Sequence, residues 1–177
     1  MKKKCFFITL ILTFALYSCN NPQENNSNNI ELYSKSSFLY DTPSEFIEYL
    51  DSNSIDSFMN DDEITSQLYT TKEVYDHYYE CYNQWIYEMD AVYESLMSQL
   101  PDEARNKLET SQKNWEESNK LTSELWLDIF NLSKGHGSGD DTMILIQNID
   151  RVRNRTFLLA EYLYWLTGDF KFTYKEN

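Results

Sequence analysis

The sequence predicts an all-α fold, an up-and-down bundle of three long helices plus a shorter N-terminal helix, and three observations support this fold. The 177 residues include only four glycines and three prolines, so long helical segments are rarely interrupted. Apolar residues recur at spacings of three and four, as along one face of an amphipathic helix. Fourteen tyrosines, ten phenylalanines and four tryptophans can fill the spaces between such helices.

The short helix is predicted from a start signal, and the first long helix is predicted from its apolar stripe. The short one is predicted to begin at Thr42-Pro43, because threonine caps helices and proline suits the first helical position. The first long helix is predicted from Thr71 to about Gln99. Its apolar stripe comprises Val74, Tyr78, Cys81, Tyr82, Trp85, Met89, Val92 and Leu96.

The second long helix is predicted to begin at Pro101 and to end near Leu132. Its predicted inner face comprises Ala104, Leu108, Ser111, Trp115, Ser118, Leu121 or Thr122, Leu125 and Ile129. The small side chains of Ser111 and Ser118 would allow the aromatic stripe of the first long helix to approach closely.

The third long helix is predicted from about Asp141 to Leu166, and Gly168 is expected to end it. Its predicted inner face comprises Ile146, Ile149, Val152, Thr156, Leu159 and Leu163. The segment before it, residues 133–141, contains three of the four glycines and is predicted to be a flexible loop. Residues 170–174 alternate like a strand, but a single strand has no partner, so we expect a docked coil.

The N-terminus is predicted to be a lipoprotein signal peptide, residues 1–18. Three lysines precede an apolar stretch that is too short to span a bilayer as a permanent helix. The end of this stretch, Leu16-Tyr17-Ser18-Cys19, resembles a bacterial lipobox, in which the cysteine becomes the first mature residue and carries acyl chains such as palmitate. We therefore expect a bacterial cell-envelope lipoprotein that faces the periplasm or the cell surface. The alternatives are an ordinary signal peptide with an incidental cysteine and an uncleaved anchor.

The predicted segments follow one another without an internal repeat. Residues 19–40 hold the lipidated cysteine and a polar tether, and residues 41–70 hold the short helix and an acidic connector. Residues 71–168 form the helical domain, and residues 169–177 form a C-terminal tail.

The net charge restricts the classes of molecule that the protein can bind. Without residues 1–18, 12 Lys+Arg stand against 29 Asp+Glu, a formal net charge of −17. This excess of negative charge disfavours nucleic acid as a partner and favours basic partners. A solvated acidic surface without any partner would have the same composition.

Cys81 is the only cysteine of the folded part, so no intramolecular disulfide is expected. No Cys/His cluster predicts a metal site, and no cofactor is predicted.

A series of marker residues runs through the predicted domain. It comprises Cys81, Asp90, Tyr93, Leu96, Leu100, Leu108, the run Ser111-Gln112-Lys113-Asn114-Trp115, the glycines of the loop, Arg155-Thr156 and Leu159. This series resembles the LprI-type lysozyme-inhibitor family of helical envelope proteins, over about residues 74–166. The resemblance implies a domain that binds a lysozyme and blocks its active site without chemistry. The chain lacks the family's further cysteines, and Asn119 stands where the family has an arginine.

The loop provides the candidate partner-binding residues, Lys134, His136 and Ser138. Neighbouring glycines give the backbone freedom, and an exposed loop can enter the cleft of another protein. Because lysozyme-type glycosidases work with a pair of carboxylates, these donors suit such a cleft. The alternative is a flexible connector with an incidental histidine.

The other marked side chains have structural interpretations. Core packing is expected for Trp85, Trp115 and Tyr93 rather than ligand stacking. Gln112 is expected to bond to a neighbouring helix, and Asp90 is a candidate ion-pair partner for Arg155. Arg151, Arg153 and Arg155 are expected to pair with the surplus acids rather than to bind an anion.

The sequence contains no catalytic motif that predicts an enzyme. His77 and His136 lie on different predicted elements, and neither a Gly-x-Ser-x-Gly elbow nor an HExxH or P-loop motif occurs. The leading interpretation is therefore a protein-binding lipoprotein whose partner is a basic lysozyme. The alternatives are a structural or interaction lipoprotein of the envelope with no lysozyme target, and an enzyme that acts on glycans.

Overall fold

The computed structural model describes residues 44–133, 137 and 139–174, and these residues contain helices but no strand. The helices are α1 (Ser44–Asp51), α2 (Ser54–Met59), α3 (Asp62–Thr65), α4 (Thr71–Gln99), α5 (Asp102–Leu132) and α6 (Asp140–Thr167). The predicted all-α bundle of three long helices and a shorter N-terminal helix is confirmed, and the acidic connector contains two further short helices. Residues 1–43, which contain the predicted signal peptide and Cys19, lie outside the described residues. None of the described helices combines the length and apolarity needed to cross a bilayer.

The ends of the long helices follow from local sequence signals. Helix α4 begins with a capping box, in which Thr70 Oγ1 accepts a hydrogen bond from the Glu73 N–H (3.2 Å) and the Glu73 carboxylate accepts one from the Thr70 N–H (2.8 Å). Helix α6 ends at Gly168, which has φ of 75° and donates its N–H to the Tyr164 carbonyl at 2.7 Å. These two signals explain why the predicted limits of α4 and α6 lie close to the observed ones.

The core lies between α4 and α6, with α1 and α2 packed against them. Trp85 is completely buried, and its ring meets Phe157 of α6 edge-on at a centroid distance of 5.4 Å. Phe46 of α1 contacts Tyr164 of α6 (5.0 Å) and Phe170 of the tail (6.0 Å). The predicted stripes are largely confirmed, because these members are buried: Cys81, Trp85, Met89, Val92 and Leu96 on α4, and Ile149, Val152, Thr156, Leu159 and Leu163 on α6.

The predicted inner face of α5 is wrong over the C-terminal half of the helix. Only Leu108 and Gln112 of α5 are buried, whereas Leu121, Leu125 and Ile129 are 58%, 58% and 45% exposed. The half-buried positions there are Asn119, Thr122, which was the predicted alternative to Leu121, Ser123, Trp126 and Phe130. Hydrogen bonds between polar side chains of α5 and α6 set this rotation of the helix, and they turn the leucines outward.

The chain after α6 is the docked coil that the sequence predicts. Phe170 is buried, and the carboxylate of Glu88 on α4 accepts hydrogen bonds from the N–H groups of Thr173 (2.9 Å) and Tyr174 (2.7 Å). Glu88 is itself completely buried. Burial raises the pKa of its carboxyl, and the two N–H donors oppose this rise. One buried acid therefore holds the tail against the bundle.

The raised pKa of Glu88 predicts how stability depends on pH. A carboxyl whose pKa is higher in the folded than in the unfolded chain stabilises the fold when protonated, and this contribution is lost as the pH rises through the folded pKa. Glu88→Gln keeps an oxygen acceptor for the tail but cannot ionise. Measured by chemical denaturation between pH 4 and 8, the unfolding free energy of wild type should fall relative to that of Glu88→Gln as the pH rises.

The matched control is Glu48→Gln, which changes an exposed glutamate of α1. Its stability should follow that of wild type at every pH. Parallel profiles for wild type and Glu88→Gln would contradict the prediction.

Candidate protein-binding site

Helices α5 and α6 meet along a line of hydrogen-bonded polar side chains, here called the polar seam. At its centre, Arg155 Nε donates to Gln112 Oε1 at 3.0 Å, and Arg155 Nη2 donates to Ser111 Oγ at 3.2 Å. The guanidinium also lies 5.9 Å from the ring centroid of Trp115. Burial lowers the pKa of Arg155. Because a buried charge is costly without acceptors, these bonds must be kept.

The seam continues two to three turns towards the end of α5, at Asn119 and Ser123. Arg151 Nε donates to Asn119 Oδ1 at 2.5 Å, and Arg151 Nη2 donates to Ser123 Oγ at 3.1 Å and to Asn148 Oδ1. Ser123 also donates to Asn148 at 2.7 Å. Contacts therefore pair position 112 with 155 and position 123 with 148, so α5 runs antiparallel to α6.

The predicted interhelical bond of Gln112 is confirmed, but the predicted pair of Asp90 and Arg155 is wrong. Arg155 binds Gln112 and Ser111 instead, while Asp90 is exposed. The reason is geometric, since the inward-facing amide of Gln112 lies within hydrogen-bond reach of the guanidinium. The pKa of Asp90 is raised by partial burial and by the nearby carboxylates of Glu116 and Glu94.

The third arginine pairs with an acid, as predicted. Arg153 Nε lies 2.9 Å and 2.8 Å from the two carboxylate oxygens of Asp56, and Arg153 Nη2 lies 2.6 Å from Oδ2. Its guanidinium also sits 4.3 Å from the ring centroid of Phe157. This pair ties α2 to α6. For Arg151 and Arg155 the hydrogen-bond partners are amide and hydroxyl oxygens, so the prediction of acid pairing holds for Arg153 alone.

The remaining markers are mostly packing residues. Trp85 is in the core, as predicted, while Trp115 and Tyr93 are half-buried. Thr156 is buried, and its hydroxyl donates to the Val152 carbonyl at 2.9 Å. Cys81 is completely buried, and burial raises the pKa of its thiol to about 12, so it acts as a small apolar side chain.

Five side chains form an acidic face where α4 and α5 adjoin: Asp90, Tyr93 and Glu94 of α4, and Glu109 and Glu116 of α5. Partial burial raises the pKa of the Tyr93 phenol, and the three glutamates raise it further. Their negative potential makes this acidic face attractive to a positively charged partner.

The predicted loop residues Lys134, His136 and Ser138 lie outside the described residues, so their role stays a prediction. The structure does describe how the loop joins α6. The Gly137 N–H donates to Asp140 Oδ2 at 3.1 Å, and the Asp140 N–H donates to the Gly137 carbonyl at 3.1 Å. At the other end, Leu132 is 84% exposed directly before the loop.

An exposed apolar line on α5 was missed by the sequence interpretation. It consists of Leu121, Leu125, Ile129 and Leu132 and is here called the α5 stripe. Its periodicity was assigned to the core, because apolar residues at helical spacing usually face inward. The signal that could have identified it is the second periodic line, Gln112, Asn119 and Ser123, whose amides and hydroxyl suit the arginines of α6.

The described residues show no metal site. No group of three or more His, Cys, Asp or Glu side chains in this part of the chain could hold a metal ion. His77 is buried against Phe58 at a ring distance of 4.9 Å, with Nε2 3.3 Å from the Met59 carbonyl oxygen. His77 therefore packs α4 against α2.

The fold and the seam define an all-helical domain, and a family comparison specifies it further. The family described as lysozyme inhibitor LprI matches residues 63–157, more than half of the chain. The protein therefore belongs to the LprI family, as the marker residues predict. No curated protein and no solved structure matches the chain.

Removal of the Gln112 amide tests the polar seam. Gln112→Ala takes away an acceptor of the buried Arg155 guanidinium, so the unfolding free energy should fall by about 1–3 kcal/mol. Chemical denaturation measures this change. Asn114→Ala, at an exposed position of the same helix, is the control and should stay within about 0.5 kcal/mol of wild type. Equal losses in the two variants would show that the seam does not depend on this bond.

Proposed function

We propose that this protein is an envelope lipoprotein that inhibits lysozyme by covering its active site. Membership of the LprI family over residues 63–157 carries the proposal, because the family is described as a lysozyme inhibitor. A family of inhibitors also supports a role in binding rather than in catalysis. The target enzyme is a protein partner, and inhibition needs no chemical step by this chain.

The charge of the chain supports a lysozyme as the partner. Its formal net charge is −14, and many lysozymes are strongly basic. The acidic face gathers carboxylates of α4 and α5 in one area, and this area contributes to the attraction. Electrostatic steering of this kind raises association rates by roughly 10- to 1,000-fold at low salt.

The proposed blocking element is the loop between α5 and α6. Lysozyme-type glycosidases hold a pair of carboxylates on either side of the scissile bond. Lys134, His136 and Ser138 offer hydrogen-bond donors to such a pair. The seam joins α5 and α6 as far as Ser123 and Asn148, and this would limit the movement of the two helices that carry the loop.

A lysis assay tests the inhibition. Purified residues 20–177 should slow the lysis of cell walls by c-type or g-type lysozyme, and rising salt should weaken the effect because salt screens the attraction. An unrelated acidic protein of similar charge is the control for non-specific binding to a basic enzyme. If lysis proceeds at the same rate in a large molar excess of the domain, the proposal fails.

The same assay with single alanine variants tests the loop. Lys134→Ala, His136→Ala and Ser138→Ala should each raise the inhibition constant. Ser133→Ala is the matched control, since Ser133 is exposed and its hydroxyl donates to the Phe130 carbonyl of its own helix. Unchanged inhibition constants for all three variants would exclude the loop from the contact.

Anchoring through an acylated Cys19 is the second part of the proposal, and it would place the domain at the surface of a bacterial membrane. A bacterial host that expresses the full chain should incorporate labelled palmitate into wild type and fractionate it with membranes. Cys19→Ala should lose both the label and the membrane association. Membrane association of Cys19→Ala without label would support an uncleaved anchor instead.

A second candidate function is an interaction lipoprotein with a different protein target. Exposed aromatic side chains favour it, among them Tyr69 at 84% and Tyr87 at 57% exposure. A pull-down from membrane extracts with added lysozyme distinguishes the two functions. Recovery of lysozyme alone supports inhibition, whereas one endogenous partner in its place supports the second function.

A further inference from the structure

The α5 stripe is a long apolar surface with no cover among the described residues. Leu121 and Leu125 are each 58% exposed, Ile129 is 45% exposed and Leu132 is 84% exposed. At 1.5 Å per residue the stripe extends along α5 for roughly 17 Å. Contiguous exposed apolar surface of this kind marks interaction sites in soluble proteins.

The stripe continues as a shallow surface groove along the same side of α5. One hollow is lined by Asn114, Glu117, Ser118, Leu121, Thr122 and Leu125. A second hollow lies nearer the start of α5, where Lys107 and Ser111 face Tyr162 and Trp165 of α6. Because Lys107, Ser111, Ser118 and Leu125 recur at three- and four-residue multiples, they share one face of the helix.

The polar seam fixes the stripe in its outward position. Rotation of α5 to bury Leu121 and Leu125 would pull Asn119 and Ser123 away from Arg151. It would also separate Gln112 from the buried Arg155. Such a rotation would leave the two arginines without these acceptors, and charge-assisted bonds of this kind are among the stronger hydrogen bonds in proteins. The surface is therefore preorganised.

Charge identifies the kind of partner that fits the stripe. Glu117, Glu124 and Asp128 flank it on the side away from α6, and Lys120 lies 3.8 Å from Glu124. In a two-fold antiparallel pair of chains, this acidic flank would face the same flank of the second copy. Two chains of net charge −14 would also repel each other. A cationic partner, in contrast, is attracted both by the acidic flank and by the net negative charge of the chain.

We infer that the α5 stripe and its acidic flank are the docking surface for the basic lysozyme, an inference that rests on the proposed function. The leucines and the isoleucine bury apolar surface of the enzyme at the centre of the contact. The three carboxylates of the flank attract cationic side chains at its edge.

Two leucine substitutions test the surface. Leu121→Gln combined with Leu125→Gln should raise the inhibition constant for a c-type lysozyme by about tenfold or more, as expected for central apolar contacts. Leu127→Gln is the matched control, because Leu127 is 44% exposed on the same helix but lies about 160° around it from the stripe. It should inhibit like wild type. Circular dichroism and the unfolding midpoint confirm that all variants fold.

The acidic flank has a separate readout. Glu117→Gln combined with Asp128→Asn should weaken the salt dependence of inhibition, because fewer charges are then screened. An unchanged salt dependence would remove the flank from the contact.

The possible outcomes separate this inference from the proposed function. If wild type inhibits and the double leucine variant inhibits equally well, the surface is wrong and the proposed function stands. If wild type does not inhibit, the proposed function fails and the surface loses its partner. If wild type forms dimers in the ultracentrifuge that the double leucine variant cannot form, the occupant is a second copy and the inference is overturned.

Discussion

The buried guanidinium of Arg155 is the constraint on which the arrangement of the long helices depends. A charge in this position needs acceptors, and it finds them in Gln112 and Ser111 of α5. Arg151 repeats the requirement further along α6, where Asn119 and Ser123 accept its hydrogen bonds. The hydrogen bonds of these two arginines therefore determine which face of α5 points inward. The apolar periodicity of α5 does not determine it. The apolar residues that this rotation leaves outside become surface.

The sequence was a sufficient guide to the fold where local signals and packing agree. The start of α4 follows from the Thr70–Glu73 capping box, and the end of α6 follows from Gly168 at positive φ. The stripe of α4 was assigned correctly because its apolar residues meet an apolar face of α6. The rule failed on α5, since it takes for granted that the most apolar face is the buried one. On α5 the buried face is instead the one that offers hydrogen-bond acceptors to Arg151 and Arg155 of α6.

The candidate site was less predictable for a related reason. The marker residues Gln112, Trp115, Arg155 and Thr156 proved to hold the scaffold together, so recognising the family identifies the frame rather than the contact surface. The pair of Asp90 and Arg155 could not be excluded from sequence alone, because charge complementarity says nothing about which helix face each side chain occupies. Hydrophobic periodicity identifies residues that pack against other residues of the same chain. Residues of a binding surface have no such packing partners, so periodicity does not distinguish them from core residues.

The departures from the family pattern are consistent with this division between frame and surface. An arginine in the place of Asn119 would bring a second cation to the Arg151 guanidinium, whereas the asparagine provides the acceptor that Arg151 needs. Among the described residues the one cysteine, Cys81, is free, and the bidentate pair of Arg153 and Asp56 fastens α2 to α6. The bonds of the polar seam hold α5 in place without any partner. A surface held in this way binds without the entropic cost of ordering its own helix, so more of the contact energy appears as affinity.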